Sequence, residues 1–181
     1  IPMAPVDWGW LSLDIPASWR RAGTSAGDQY APGSPLVNFT ATRDPEKPGA
    51  SSPPAARRFQ SAQALQRERI KELTTVSWTQ ATHGATGGPT GYVEKRERRE
   101  GITATPLGAY NAGLATVAPA RVEDKNTGRT TYWLFVVASG KQCSWYGEVA
   151  MSVDTSEYAD YQHLFETRIR GSLKVHQDKI Q

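Results

Sequence analysis

Apolar and polar positions alternate over the first strong element of the chain. Leu11, Leu13 and Ile15 fall on one side and Ser12 and Asp14 on the other, the period of a half-buried strand. Pro16 ends that strand by removing a backbone donor, and Trp19 supplies an apolar plug with a polar edge for the end of the sheet. Strand character returns over Leu36 to Thr42, with Val37, Phe39 and Ala41 on one side. These two segments are expected to pair across a wide loop, Arg20 to Ser34, rich in Gly, Ser, Ala and Pro. Pro45, Pro48, Gly49, Pro53 and Pro54 then exclude a regular element, so 44–54 reads as a loop, with Ser52 and Pro53 placed to cap and open a helix.

Over Ala55 to Leu73 the period changes to that of a helix, with Phe59, Ala62, Leu65, Ile70 and Leu73 on one stripe; Gln66 and Arg69 fall in the same sector and make the buried face imperfect. Val76 and Trp78 predict a further strand, closed by the glycine-rich stretch His83 to Gly91. The segment Tyr92 to Glu100 carries no apolar alternation beyond Tyr92 and Val93 and predicts a projecting, solvated hairpin arm or a charged edge strand. Two antiparallel pairings follow. Leu114 to Asp124 meets Thr131 to Ala138 across the turn Lys125–Gly128, and Thr131 to Ala138 meets Cys143 to Val153 across Ser139–Lys141. Tyr132 to Val137 is apolar on both faces, as for a central strand covered above and below. The next strand places Cys143, Trp145, Val149, Met151 and Val153 in the core and Ser144, Tyr146, Glu148 and Ser152 nearer water. Asp154 and Glu157 then open a second covering helix with a capping-box-like start, and Tyr158, Tyr161, Leu164, Phe165, Ile169 and Ser172 or Leu173 trace its buried stripe.

The chain therefore reads as an α+β protein, a single domain over 1–181 with an antiparallel sheet of about six strands covered by two main helices. Composition agrees: 38% hydrophobic residues with six Trp and seven Tyr is too apolar and aromatic for a disordered chain of 181 residues. The formal charge of +3 comes from 21 basic and 18 acidic residues that are largely interleaved, which argues against nucleic acid as the partner. The longest apolar run, Tyr132 to Ala138, is far too short to span a bilayer. The sequence opens at Ile1 without an initiating Met, and a leader or anchor removed ahead of it is allowed for.

The order of elements, the corner Ile15-Pro16-Ala17-Ser18-Trp19 and the exit Arg170-Gly171-Ser172-Leu173-Lys174-Val175 resemble the PsbP-like family, which includes a Ran-binding nuclear import factor and many bacterial lipoproteins and secretion-associated proteins. The resemblance implies an α/β/α sandwich serving as a binding or assembly module without catalysis. It transfers no functional residue to this chain. Ala, Arg, Thr and Gly usage is that of a GC-rich bacterial gene and leans toward a bacterial source; a cell-envelope or other extracytoplasmic setting is what the resemblance implies.

Candidate chemistry is sparse. His83, His163 and His176 sit at no metal-ligand spacing, and no cofactor or metal is expected. The single Cys143 falls on an apolar face as a small hydrophobe. Gly84 to Gly91 lacks the Lys-Ser/Thr of a phosphate loop, and Asn38-Phe39-Thr40, an acceptor-like triplet, lies inside a strand. No catalytic residue emerges. The candidate contact residues are Tyr92, Arg96, Arg98 and Arg99 in the charged arm, beside Lys95 and three glutamates, and the aromatic pair Trp8 and Trp10 at the entry. The favoured function is a protein-binding or assembly module. Two rivals are a small-molecule or lipid carrier with a pocket lined by Trp78, Trp133, Trp145 and Phe165, and a hydrolase using Asp14, Glu123 and Glu148.

Overall fold

The computed structural model describes residues 1–19, 21–24, 27–30, 36–43, 61–85, 87–141 and 144–180. The loop expected over 44–54, the cap at Ser52 and Pro53, Phe59 and Cys143 lie outside them. The strands are β1 (Met3–Asp7), β2 (Leu11–Pro16), β3 (Arg21–Thr24), β4 (Gly27–Tyr30), β5 (Leu36–Arg43), β6 (Thr75–His83), β7 (Pro89–Arg98), β8 (Ile102–Pro106), β9 (Tyr110–Ala112), β10 (Ala115–Asp124), β11 (Arg129–Ser139), β12 (Ser144–Asp154) and β13 (Lys174–Val175).

The main sheet runs β3-β4-β5-β12-β11-β10-β8, with β9 also on β10, and every pairing in it is antiparallel. It is wider than the expected six strands, because Arg20 to Ser34 contributes the short hairpin β3–β4 where a plain loop was expected. A separate three-stranded sheet, β1-β2-β13, holds the alternating strand Leu11–Pro16. The expected pairing of that strand with Leu36–Thr42 is thus corrected: β2 pairs β1 and β13, whereas β5 pairs β4 and β12. Pro5 sits in β1, an edge strand, where a missing donor is tolerated.

The central strand β11 is covered on both faces, as its sequence requires. Tyr132, Leu134, Val136 and Ala138 belong to one core cluster with Leu11, Leu13, Met151, Phe165 and Ile169, so that face lies under the small sheet and the closing helix. Phe135 and Val137 face the other way, into a cluster with Ala62, Leu65, Ala118, Ala120 and Tyr146 under the first helix. Tyr146, expected nearer water, is therefore only 7% exposed: the first helix covers the second face of β12 as well.

The first helix spans Ala62–Thr74, capped by Ser61, whose Oγ accepts from the Ala64 backbone N–H at 3.3 Å. The Ala62 N–H donates to Thr116 Oγ1 of β10 at 2.9 Å, which ties the helix start to the sheet. Gln66, the flaw in the predicted stripe, is 5% exposed; its amide donates to the carbonyl oxygens of Leu107 and Pro119. Pro119 marks the place in β10 where pairing passes from β8 to β9; its carbonyl already accepts the Leu107 N–H at 2.9 Å, but a proline has no N–H to return, so the glutamine supplies the donor that the Leu107 carbonyl lacks and adds a second one to Pro119. Arg69 reaches Glu148 on β12 and Glu72 on its own helix; burial lowers its pKa, but both carboxylates more than offset this and hold it above its ordinary value.

The closing helix runs over residues 158–172 as an α-helical turn (Tyr158–His163), a π-helical segment (Leu164–Ile169) and a last α-helical turn (Arg170–Ser172), after a 3₁₀ turn at Thr155–Glu157. Phe165 stacks at 6.0 Å from Tyr132 and 5.8 Å from Tyr161, and the predicted stripe is the face that packs. Asp154 stands at the expected N-cap position but makes no side-chain cap bond; its carboxylate takes the Arg129 guanidinium at 2.9 Å instead.

Candidate functional site

One element stands apart from both layers. The chain leaves the first helix at Thr74, where the Thr74 and Thr75 hydroxyls bond back to the carbonyls of Ile70 and Lys71, and passes directly into β6. β6 and β7 pair only with each other, in a ladder from Thr75↔Arg98 to His83↔Pro89 with one irregularity at Thr82/His83. The tip is closed by backbone bonds between Gly84 and Gly88 (2.8 Å) and between Gly87 and Gly84 (2.9 Å), and by His83 Nδ1 against the Gly87 carbonyl (3.1 Å). At its base, Gly101 takes φ +82° to turn the chain into β8, and a Cβ there would press on the Asn126 amide at 3.1 Å.

Side chains alternate across this ribbon. Val76, Trp78, Val93, Lys95 and Glu97 share one face; Ser77, Tyr92, Glu94, Arg96 and Arg98 share the other. Tyr92 is 75% exposed, Val76 44%, Val93 42% and Trp78 41%, so four of the six large apolar residues that reach solvent among the described residues lie on this hairpin. Arg96 is held by Glu94 at 3.1 Å and by Thr75 Oγ1 at 3.3 Å, and Glu94 also accepts from Ser77 Oγ. Arg99 follows at the base, its backbone N–H donating to the Thr74 carbonyl at 2.7 Å. It borders a groove of about 220 Å³ that Leu73, Ile102, Val122, Arg129 and Trp133 also line.

The structure thus brings Tyr92, Arg96, Arg98 and Arg99 onto one arm and separates them from the entry tryptophans. Trp10 is corrected from contact residue to core: it is 5% exposed, meets Trp145 edge-on at 5.7 Å and lies over Gly147, where a Cβ would come within 3.2 Å of its ring. Trp8 is half-buried against the same cluster. Trp78, with no basic or acidic neighbour to draw attention to it in the sequence, joins the arm because strand register sets it across from Lys95.

The two rival sites do not assemble. Trp145 and Phe165 lie on the closing-helix face of the main sheet, Trp133 on the first-helix face and Trp78 on the hairpin, so no pocket joins the four. Glu148 sits against Arg69 on the first-helix face, Asp14 lies in the small sheet and Glu123 near the end of β10, so the three carboxylates share no cleft. His163 is exposed, His176 Nε2 meets Ser12 Oγ at 2.9 Å, and no group of three His, Cys, Asp or Glu among the described residues is placed to hold a metal. No described helix is long and apolar enough to cross a membrane.

No protein-family model and no curated sequence matches the chain. Among solved structures it is similar to LpqN, involved in cell envelope biogenesis of Mycobacterium tuberculosis, with a TM-score of 0.50 and 13% identity over 97% of this chain and 91% of that one. It also aligns with the Ran-binding protein Mog1p of Saccharomyces cerevisiae, with a TM-score of 0.44 and 9% identity over 99% of each chain. At 13% identity the likeness to LpqN is one of fold: a mixed α+β architecture, mostly antiparallel, with two helices covering its main sheet.

Proposed function

We propose that this chain is one PsbP-like domain acting as a non-catalytic protein-binding or assembly module of the bacterial cell envelope, on its extracytoplasmic side, with the β6–β7 hairpin as its contact element. The observation that carries the reading is the hairpin itself. A two-stranded ribbon that no third described strand or described helix face covers gains little stability in water, and this one keeps Trp78, Tyr92, Val76 and Val93 in solvent. Aromatic residues and arginine are the residue types enriched where proteins meet, and Tyr92, Trp78 and Arg98 supply them on one projecting element. The fold likeness to LpqN supports the envelope setting.

The test places a photo-reactive residue at Trp78 or at Tyr92 of the full chain and, as a control, at Asp160 on the exposed side of the closing helix, within a bacterial host's envelope. Adducts to a discrete protein from the hairpin positions, and none from Asp160, are expected. Equal labelling from all three positions, or none from the hairpin, sinks the reading.

A further inference from the structure

The direction of the hairpin's backbone groups says which of them are open. The Arg99 N–H donates inward to Thr74, and β6 and β7 stay in regular register from Thr75↔Arg98 onward, so Glu97, Lys95 and Val93 likewise turn their backbone groups toward β6. Tyr92, Glu94, Arg96 and Arg98 therefore point theirs outward, along an edge that no described strand occupies. An edge of this length normally carries charges that repel another edge. Here both signs are interspersed along the strand: Glu94, then Lys95 and Arg96, then Glu97 and Arg98.

That order of charges reads differently in the two-fold registers centred on Glu94, Lys95, Arg96 and Glu97. With the dyad at Glu97, Arg96 faces Arg98 and glutamate faces glutamate; with the dyad at Glu94, one like pair forms and no opposite pair. With the dyad at Lys95, only Glu94 and Arg96 face each other with opposite charge. With the dyad at Arg96, Lys95 of each copy faces Glu97 of the other and Glu94 faces Arg98, four opposite contacts within β7. The one like contact, Arg96 against itself, is tempered because each Arg96 already has Glu94 beside it at 3.1 Å. The same register lets the outward groups of Glu94, Arg96 and Arg98 bond to one another.

From this self-complementarity we infer that the outer edge of β7 pairs antiparallel with β7 of a second copy of this chain, around a two-fold axis at Arg96, to make a four-stranded β6-β7-β7-β6 sheet. The inference deepens the reading of the hairpin as contact element and names one of its occupants; the outer edge of β6 stays open for another protein. Pairing two ribbons relieves the weakness of each, since three or more strands are what an independent sheet needs. The buried area is small, so the association is weak and concentration-dependent.

The register dictates the test. Lys95→Glu sets a carboxylate against Glu97 at both symmetric contacts, and Glu97→Lys sets an ammonium against Lys95 at both. Each variant alone should therefore associate about tenfold more weakly than the wild type in sedimentation equilibrium. An equimolar mixture of the two restores opposite charges at both contacts and should regain wild-type association, which also shows that both variants are folded. A wild type that stays monomeric up to millimolar concentration, or a mixture no better than its components, overturns the dimer. A monomer whose Trp78 and Tyr92 probes still label an envelope protein would overturn the dimer alone; a dimer without such labelling would overturn only the module reading.

Discussion

β11 and β7 are both antiparallel strands of ten or eleven residues, and they live in opposite surroundings. β11 lies between β10 and β12 and buries Tyr132, Leu134 and Val136 on one face and Phe135 and Val137 on the other. β7 has one partner among the described strands, and every one of its residues except Gly91 is exposed. The ladder is the same kind of ladder in both, so hydrogen bonding cannot be what distinguishes them. The distinction is in the side chains: β11 exists because two layers close on it, and β7 is free to present its residues because nothing does. Stability should therefore concentrate in the first strand and contact in the second.

The harshest way to break that contrast is to empty the doubly covered strand. Phe135→Ala removes a side chain that is 0% exposed and stacks on Trp133 at 5.3 Å, beneath the first helix. It should cost about 3–5 kcal/mol in chemical denaturation. A loss below about 1 kcal/mol would mean that the first helix does not seal that face.

Next comes alkali. Tyr110 and Tyr158 each have a pKa pushed up to about 12, chiefly by burial; Arg170, whose carbonyl accepts from the Tyr110 hydroxyl at 3.2 Å, pulls Tyr110 partly back, and Glu166 adds to the rise at Tyr158. A folded-state phenol that resists ionisation while the unfolded one titrates near 10 leaves stability intact below pH 10 and erodes it as pH rises from 10 to 12. Denaturation midpoints should fall across that window, and the fall should shrink in a Tyr110→Phe, Tyr158→Phe double variant. Equal alkaline sensitivity in the variant would place the titrating groups elsewhere.

Gly147→Ala tests the same body at one atom. The new Cβ would meet the Trp10 ring at 3.2 Å and Leu11 at 3.3 Å, in the middle of β12 where neither neighbour can easily give way. Overpacking of this kind should cost about 1–3 kcal/mol. That glycine also explains what the alternation of residues hides. Trp10 reads as a contact residue because it is one of an aromatic pair at the entry of the chain, whereas it is seated against the main sheet by the absence of a side chain at Gly147. A lone glycine among large residues in a strand is itself a signal of close approach. Pro119 carries a similar message about Gln66: a proline inside a strand lacks a donor, and the carbonyl opposite, that of Leu107, needs one from elsewhere.

Local periodicity makes β11, the closing stripe and the charged arm legible, because each of those follows from its own residues. What it cannot show is which strands share a sheet. β2 and β5 carry equally good alternation, and only long-range pairing sends one to β13 and the other to β12. Trp78 is visible as a strand residue, yet its solvent exposure follows from the hairpin standing alone, which no window of sequence reports.

A smaller effect of opposite sign comes from Tyr132. Its ring packs on Phe165, but its hydroxyl is buried with no hydrogen-bond partner among the described residues, and that burial raises its pKa. Tyr132→Phe keeps the ring and removes the unpaired group, so stability should rise by about 1 kcal/mol. A loss of that size instead would reveal a partner for the hydroxyl, and the core of β11 would then be less apolar than its neighbours imply.

The smallest expected effect is the most telling for the contrast. Trp78→Ala and Tyr92→Ala remove the two largest side chains of the hairpin, and because neither is covered by the body, each should change global stability by less than about 0.5 kcal/mol. Tryptophan and tyrosine are costly residues to keep in water, so near-silence in denaturation combined with loss of labelling from the arm would separate the two regions cleanly. If Trp78→Ala costs as much as Gly147→Ala, the arm leans on the body after all. Its exposed aromatics would then belong to the fold, and the β7 edge would be held too close to the main sheet to admit a second copy.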